Sequence, residues 1–287
     1  SMGIIETVKQ GRPIPCPVID MHTHIFPDKV AKKATIATAN YFDLPEPPNH
    51  YGSVRELVDV LEEAGVDYAM VCSAATTGHQ VAPINRYIYR ECIDQPKFIP
   101  CGTLHADFDG YKEELAWMRE HGIHGVKIHA EFQHFVLDDE RLFPMFEEME
   151  KNDMFLMAHM GDPRVNVSGP HRMLPIARTF PELRCIATHL GNWDDWDVEK
   201  IRPLAKLPNV YCDISSSYSY VADPAEKERL KTIMYEYDPT HIFYGSDYPI
   251  WCPKKELEKV KMLGFDEKFL EDLLFNNFAN FYHYKKL

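Results

Sequence analysis

The run PVIDMHTH at residues 17–24 is short and mostly apolar, and it ends on two histidines. Seven further short apolar runs follow along the chain, separated by longer amphipathic stretches. They are DYAMVCS at 67–73, FIPCGTL at 98–104, GVKIH at 125–129, MFLMAH at 154–159, RCIATH at 184–189, NVYCDIS at 209–215 and HIFYGSD at 241–247. Runs without polar alternation are typical of parallel strands that are buried on both faces.

The stretches between these runs have helical patterns. In residues 53–65, Ser53 can cap a helix with Glu56 three positions later, and Gly65 can take the left-handed conformation at its end. Strand followed by helix, eight times, predicts an α/β fold of the TIM type, a closed (β/α)8 barrel with its helices outside. An open doubly wound sheet is the alternative, but no G-x-G-x-x-G follows the first strand.

The chain length of 287 residues suits a single barrel domain over residues 1–287, because such barrels take roughly 250 residues. Two long loops depart from a minimal barrel. An insertion at 25–52 follows the first strand and is a candidate lid, and a loop at 161–172 follows the fifth strand. The amphipathic tail at 266–284 predicts an extra C-terminal helix that braces the barrel.

The composition argues against several classes of partner. Lys and Arg number 31 and Asp and Glu number 44, which gives a formal net charge of −13. This charge repels phosphate backbones and anionic membranes, so we expect a small-molecule substrate, no nucleic acid and no membrane; a homo-oligomer is compatible with it. No apolar run reaches the ~18 residues of a membrane span and no secretory signal pattern is present, which predicts a cytoplasmic protein.

Reactive side chains gather where the predicted strands end. Six of the 14 histidines occupy such positions, and an aspartate closes the eighth strand. These residues are His22, His24, His105, His129, His159, His189 and Asp247. Barrel enzymes assemble their active sites from the carboxyl ends of the strands, so we expect the functional site at this end.

Three of these residues predict a metal centre. Residues two apart in an extended strand share a face and lie roughly 6.5–7 Å apart, so His22 and His24 can close on one ion. Asp247 lies beside the first strand once the barrel closes, and His159 can approach from the far side. Imidazole and carboxylate ligands suit zinc and neighbouring divalent metals. The alternative, hydrogen-bonded histidines without an ion, would leave several buried imidazoles in need of other partners.

The motifs DMHTH, MAHMGD, ATHLGN and YGSDYP, in this order, resemble the amidohydrolase superfamily. The resemblance is closest to its amidohydrolase-related branch, which contains aminocarboxymuconate semialdehyde decarboxylase, resorcylate decarboxylases and lactone hydrolases, and it covers about Val18 to Tyr282. It implies a catalytic divalent metal, most often one zinc ion with manganese as an alternative. The implied ligands are His22, His24, His159 and Asp247, with His189 as an auxiliary acid or base.

Lys127 has two interpretations. It shares the parity of His129 and is predicted to point into the barrel, where it binds a substrate carboxylate or carbonyl. The context GVKIH is also similar to the strand-four motif of binuclear superfamily members, whose lysine is carboxylated and bridges two metals, so a carboxylated Lys127 would imply two ions. Position alone makes four further residues candidates for substrate binding: His129, His105, Arg164 and Trp251.

Together these residues predict a metal-dependent hydrolase. An activated water, deprotonated with help from Asp247, attacks a lactone, amide or C–C carbonyl of a small, carboxylated substrate, and His189 assists protonation of the leaving group. A nonoxidative decarboxylase is the alternative, because it would use the same ligands. A noncatalytic metal-binding scaffold is a second alternative. The loops at 25–52 and 161–172 are expected to decide the substrate.

Overall fold

The structure, a computed structural model, describes residues 16–217 and 223–287, so the ends of the predicted 1–287 domain lie partly outside the described residues. Nine parallel strands are present in this part of the chain. They are β1 (Ile19–His24), β2 (Tyr68–Cys72), β3 (Phe98–Pro100), β4 (Gly102–Thr103), β5 (Gly125–Ile128), β6 (Phe155–Ala158), β7 (Cys185–Ala187), β8 (Val210–Asp213) and β9 (Ile242–Phe243). β3 and β4 flank Cys101 and together form the third strand of the barrel.

The strands close into a barrel. β1 to β3 pair in chain order, and so do β4 to β9. The Cys101 amide donates to Val71 O at 3.0 Å and so continues the pairing with β2 between β3 and β4. On the other side, the Met21 amide donates to Tyr244 O at 3.1 Å, which joins β1 to the segment after β9. The predicted (β/α)8 barrel is therefore confirmed.

Helices surround the barrel. They are α1 (Asp28–Tyr41), α2 (Val54–Ala64), α3 (Val81–Ile93), α4 (Tyr111–Glu120), α5 (Ala130–Gln133), α6 (Phe143–Lys151), α7 (Pro170–Thr179), α8 (Val198–Ala205), α9 (Pro224–Met234), α10 (Pro253–Lys261), α11 (Glu267–Glu271) and α12 (Asn277–Phe281). α2 begins as predicted, because the Ser53 hydroxyl accepts from the Glu56 amide, and it ends at Gly65, whose φ is 74°. Among the described residues, no helix is long and apolar enough to cross a membrane.

The C-terminal helix braces the amino-terminal end of the barrel, as predicted. A π-helical turn at Asp272–Asn276 joins α11 to α12. Phe278, Phe281 and Tyr282 pack into one apolar cluster with barrel-lining residues from the first halves of the strands, such as Phe155. This end of the barrel is therefore filled by side chains.

The prediction that residues 25–52 form a loop was wrong in part. Residues 28–41 form α1, whose sequence DKVAKKATIATANY is rich in alanine and lysine, both good helix formers. Pro27 lies directly before that helix and the other prolines of the insertion follow it, so none of them interrupts it. The Phe26 amide donates to Gly52 O at 2.8 Å, so the two ends of the insertion meet.

Candidate metal centre and cavity

A change of register in β1 brings both histidines into the barrel. The pairing of β1 with β2 shifts between Asp20 and Thr23. Ile19 and Met21 pack inside the barrel, whereas His22 and His24 face the cavity at the carboxyl end. Asp20 Oδ1 accepts from the backbone amides of His22 (3.2 Å) and Ser246 (2.9 Å) and so holds this strand against the segment that carries Asp247.

His22, His24 and Asp247 form a compact group of potential metal ligands. Asp247 Oδ1 lies 3.3 Å from His22 Nε2 and 3.5 Å from His24 Nδ1. The ligand atoms of the three residues all lie within 4.8 Å of one another. The structure thus brings together the three residues whose spacing and strand positions predicted a shared ion.

The Nδ1 atom of each of the two histidines has a hydrogen-bond acceptor. His22 Nδ1 lies 2.8 Å from Asp213 Oδ2, and His24 Nδ1 lies 3.0 Å from Tyr248 O. Because a carboxylate and a carbonyl only accept, each Nδ1 carries the proton and each Nε2 has the lone pair. For His24 the nitrogen 3.5 Å from Asp247 is therefore the protonated one, and Nε2 would be its ligand atom. Metal-binding histidines are commonly fixed by such partners, so this donor set fits a divalent cation.

Burial favours the neutral state in which the two imidazoles can bind a metal. Burial lowers the pKa of His24 to about 3 and that of His22 well below its ordinary range, with the charge of Lys127 as a second cause. Both imidazoles are therefore neutral near pH 7. Burial also raises the pKa of Asp247 to about 7, against a hydrogen bond from Ser216 that lowers it.

His189 and His159 form a second pair beside this group. His189 Nε2 lies 3.1 Å from His159 Nδ1, and its ring stacks on that of His22 with 5.4 Å between centroids. The predicted ligand His159 is not in the group with Asp247; it groups with His129 and Glu131 instead. Its role as a ligand of the first ion stays a prediction.

The two candidate acid–base residues have unusual backbone conformations. His189 has a φ of 58° and Asp247 a φ of 63°, in the left-handed region that few residues other than glycine adopt. Hydrogen bonds hold both in place: Asp213 Oδ1 accepts from the His189 amide at 2.8 Å, and the Asp247 amide donates to His22 O, also at 2.8 Å. Such strain is often found at functional sites.

Sequence reasoning missed Asp213, which supports both halves of the site. It ends β8, it is fully buried, and its carboxylate contacts His22 and the backbone of His189. The Ser215 hydroxyl donates to Asp213 Oδ1 at 2.9 Å. The signal was present, because Asp213 ends a predicted strand as the histidines do. Glu131, two residues beyond the GVKIH run, was also missed.

Lys127 points into the barrel, as predicted from its parity. Its side chain is buried, and Nζ lies 3.2 Å from His22 Nε2. Among the ion pairs of the described residues, none joins Lys127 to a carboxylate within 4.0 Å. Whether the amine is carboxylated stays a prediction.

A cavity of about 430 Å³ opens above these residues. Its outer wall is mostly apolar and includes rings from α1 and from the loops that follow β1, β5, β7 and β9. They are Phe26, Tyr41, Phe42, Phe132, Trp193 and Trp251. Among the described residues that line the cavity, Lys127 is the sole lysine and arginine is absent.

Two of the predicted substrate-binding residues line this cavity. His129 stacks on Phe132 with 3.9 Å between ring centroids. Trp251 donates from Nε1 to Ser216 Oγ at 3.0 Å, and Ser216 in turn donates to Asp247 Oδ2 at 2.7 Å. The Trp251 indole therefore fixes the orientation of the Asp247 carboxylate and also forms part of the cavity wall.

The other two predicted substrate-binding residues, His105 and Arg164, do not line the cavity. Both nitrogens of His105 are engaged, with Gln133 O at 3.0 Å and with the Asp107 amide at 3.0 Å, so the ring holds two loops together. Arg164 forms a double contact with the Asp162 carboxylate, at 3.0 Å each. The Arg164 guanidinium also lies over the rings of Tyr41 and Phe42, which line the cavity, at 5.2 and 5.8 Å from their centroids, so substrate binding by Arg164 and His105 stays a prediction.

Comparison with known proteins identifies the family. The sequence model of the family described as Amidohydrolase matches residues 19–283, so the chain belongs to the amidohydrolase family. Membership agrees with a divalent metal centre built from the His and Asp groups described above. No curated protein matches the chain.

Solved structures support the barrel fold. A TIM-barrel protein from Bordetella bronchiseptica is 19% identical, with a TM-score of 0.71 over 92% of this chain and 97% of that one. A protein described as a 2-pyrone-4,6-dicarboxylic acid hydrolase from Pseudomonas putida is 16% identical, with a TM-score of 0.68 over 94% and 98%. The 5-carboxyvanillate decarboxylase of Sphingomonas paucimobilis is 15% identical, with a TM-score of 0.66 over 92% and 98%. Hydrolases and decarboxylases thus share this fold.

Proposed function

We propose that the protein is a metal-dependent hydrolase of a small substrate that carries one acidic group. The observation that carries the proposal is the group of His22, His24 and Asp247 at the base of the cavity, in which Asp213 and the Tyr248 carbonyl fix the tautomers of the two imidazoles. These three residues would hold the ion, with His159 as a predicted fourth ligand. Zinc is our first expectation and manganese our second.

A divalent ion bound there supplies Lewis-acid activation of water and of a substrate carbonyl. Asp247 is placed to take the proton of the attacking water, because Ser216 holds its Oδ2 and leaves Oδ1 facing the two histidines. His189 would protonate the leaving group only after its Nε2 receives a proton, because Ser215 O holds the proton of the neutral ring on Nδ1. Its orientation is fixed, because Ser215 O and Oγ lie 3.1 and 2.9 Å from Nδ1.

Lys127 supports the expectation of an acidic group on the substrate. Burying an ammonium group without a carboxylate partner is costly, and a substrate carboxylate or carbonyl would supply that partner. The apolar outer wall of the cavity suits a substrate whose remaining part, apart from the acidic group, is flat and uncharged. A substrate with two or three separated carboxylates would meet only one cationic side chain other than histidine among the described lining residues.

A nonoxidative decarboxylase is the second candidate, and the character of the cavity favours it. A carboxylate that binds beside Lys127 and beneath aromatic rings is largely removed from water, which eases its conversion into uncharged CO₂. In this reaction Asp247 or His189 would deliver the proton to the substrate carbon. The same ligands serve both reactions, so only the products separate them.

The test is a comparison of products. Protein reconstituted with zinc or manganese is incubated with a panel of lactones, amides and hydroxylated aromatic acids, and new acid groups and CO₂ are measured in parallel. Acid release without CO₂ supports the hydrolase, and CO₂ release supports the decarboxylase. Metal binding without turnover on any compound would instead favour a noncatalytic scaffold. The Asp247→Asn variant controls for contaminating activity.

A further inference from the structure

The ring of Phe42 enters the cavity from the end of α1. Phe42 directly follows this helix, and its backbone amide donates to Thr38 O at 3.2 Å. The lining residues that α1 itself contributes are two alanines, two threonines and Tyr41. The small side chains let the helix lie close over the cavity. Its bulk therefore comes from the rings of Tyr41 and Phe42 at its carboxyl end.

Phe42 contacts rings from three other segments of the cavity wall. Its ring centroid lies 5.6 Å from that of Phe132, 5.1 Å from that of Trp193 and 5.4 Å from that of His159. These separations are those of interacting aromatic pairs. His159 Nδ1 in turn lies 3.1 Å from Nε2 of His189, the candidate acid or base. The Phe42 ring therefore lies near the reacting end of the cavity.

The rings around Phe42 do not stack on it. Among the described residues, five rings contact Phe42, and their planes are inclined to its plane by 40° to 84°. By contrast, His129 stacks on Phe132 with 3° between the planes and on His159 with 15°. Phe42 thus has no parallel partner in the part of the chain that the structure describes. Its ring can receive a flat ligand in the offset-stacked arrangement that aromatic pairs favour.

A neighbouring cation holds the Phe42 ring in place. The Arg164 guanidinium lies 5.8 Å from the Phe42 centroid and 5.2 Å from the Tyr41 centroid, which is within the range of cation–π contacts. Arg164 is itself fixed by the buried Asp162 carboxylate through two contacts of 3.0 Å. The loop at 161–172 therefore restrains the end of α1, and the ring acts as a fixed part of the wall.

Lys127 determines where a bound acid places its ring. In the proposed function the substrate carboxylate pairs with Lys127, which lines the same cavity and lies two residues before His129. Residues at this spacing on a strand lie roughly 6.5–7 Å apart. The His129 ring contacts Phe42 with 5.9 Å between centroids. A carboxylate held at Lys127 therefore brings the attached ring within reach of Phe42.

We propose that Phe42 is a specificity-determining residue, which stacks on the substrate and selects acids with a planar, unsaturated ring over acids with a saturated ring. This inference rests on the proposed function and defines its substrate class more closely, as aromatic carboxylates and flat, conjugated lactone acids. A puckered ring of similar size cannot form the offset stack. The preference is the same for hydrolysis and for decarboxylation, because stacking involves the ring and not the bond that breaks.

The test compares the dissociation constants of two probes, benzoate and cyclohexanecarboxylate, measured by titration calorimetry on the zinc-loaded full chain. Both probes carry the same carboxylate, so its contacts with the ion and with Lys127 cancel in the ratio. We expect the wild type to bind benzoate about 2- to 10-fold more tightly, which is the range that an aromatic pair supplies beyond its buried area. Phe42→Leu should bring the ratio close to one, whereas Phe42→Tyr should keep it. The control is Ile36→Ala, at a position on α1 that is 37% exposed and does not line the cavity, and it should also keep the ratio.

A wild-type ratio that persists in folded Phe42→Leu would overturn the inference and leave the proposed function intact, and so would a wild type that binds both probes equally. A loss of affinity by the same factor for both probes would indicate a merely structural role and also count against it. Failure of the wild type to bind either probe would contradict the proposed acidic substrate as well. Circular dichroism confirms folding, and Phe42→Met, with the same expected loss, replaces Phe42→Leu if that variant does not fold.

Discussion

The two ends of the barrel are built from the same strands but differ in every property that concerns function. At the amino-terminal end, Met21 and Phe155 pack against Phe281 in a dry apolar cluster. At the carboxyl end, the same strands present His22 and His159 to the cavity. A strand of six residues such as β1 therefore contributes to stability with its first half and to chemistry with its second half.

The two ends of the barrel also differ in how their residues contribute to the free energy of folding. The left-handed conformations of His189 and Asp247 and the unpartnered Glu131 oxygen all belong to the carboxyl end. Each is unfavourable for folding by itself. The apolar cluster at the opposite end supplies stabilisation that offsets such costs. Substitutions at the two ends should accordingly separate activity from stability.

The largest expected effect is a loss of turnover at the carboxyl end. Asp247→Asn removes the group placed to move a proton and weakens the metal site, so we expect kcat to fall by about 10²- to 10⁴-fold. The midpoint of thermal unfolding of the metal-free protein should change little. Turnover on the compound identified by the product panel is the measurement. Activity within threefold of the wild type would contradict the assignment.

The next effect is a loss of stability at the amino-terminal end. Phe281 packs on Phe155 and Phe243 with 5.1 and 5.2 Å between ring centroids. Phe281→Ala should lower the free energy of unfolding by about 3–5 kcal/mol, measured by urea titration, and leave kcat per folded molecule unchanged. Ile93→Ala, at a position 60% exposed, is the control and should have almost no effect. A fall in kcat for the folded Phe281→Ala protein would show that the two ends are coupled.

Lys127 lies between the two ends and should respond in both measurements. Lys127→Met replaces a buried ammonium with an apolar side chain of similar length. We expect KM for an acidic substrate to rise about 10- to 100-fold, because the pairing cation is lost, while the metal-free protein gains about 1 kcal/mol of stability. Intact mass of the wild type gives a separate check. An added carboxyl group on Lys127 would favour the bridging interpretation over substrate binding.

The smallest effect concerns α10, one of the helices that surround the barrel. Burial raises the pKa of Glu256 on α10 to about 7, against a contact with Lys259 at 3.1 Å that lowers it. The native state therefore keeps this proton up to about pH 7, whereas the unfolded chain releases it near the ordinary value of 4.5. Between these values the native state binds more protons, so stability contributed by this group falls as pH rises.

Glu256→Gln should remove about 1–2 kcal/mol of that decline between pH 4.5 and 7, measured by urea titration at several pH values. Glu258→Gln, at an exposed position on the same helix, should leave the decline unchanged. Equal pH profiles for the wild type and Glu256→Gln would assign the decline to the carboxyl end of the barrel instead.

Local sequence patterns predicted the barrel and the position of its site. Apolar runs that end on His or Asp are a one-dimensional signal, and parallel strands bring their ends to one edge. That rule was enough to group His22, His24 and Asp247. It does not decide whether Arg164 reaches the substrate, because its ion pair with Asp162, two residues away, and a cavity contact look alike in sequence.

What could not be predicted depends on contacts between distant segments. The register shift in β1 is tied to Ser246, more than two hundred residues later. Glu131 was not predicted as a site residue, because only the fold brings Ser168 and two histidines around its carboxylate. The helix α1 was missed for another reason: residues 25–52 were interpreted by their length as a loop, although the alanine and lysine content of 28–41 favours a helix.

The two ends of the 25–52 insertion lie next to each other, and this has an evolutionary consequence. The chain leaves the barrel at Phe26 and returns at Gly52, where the two are hydrogen bonded, and a Cβ at Gly52 would lie 2.8 Å from the Phe26 ring. Within the insertion, the backbone amides of Asn49 and His50 donate to Ile250 O and Pro249 O, so a replacement segment that keeps these contacts need not move a strand. New substrates could thus be acquired by swapping one contiguous stretch of gene, while the ion-holding residues stay under separate selection.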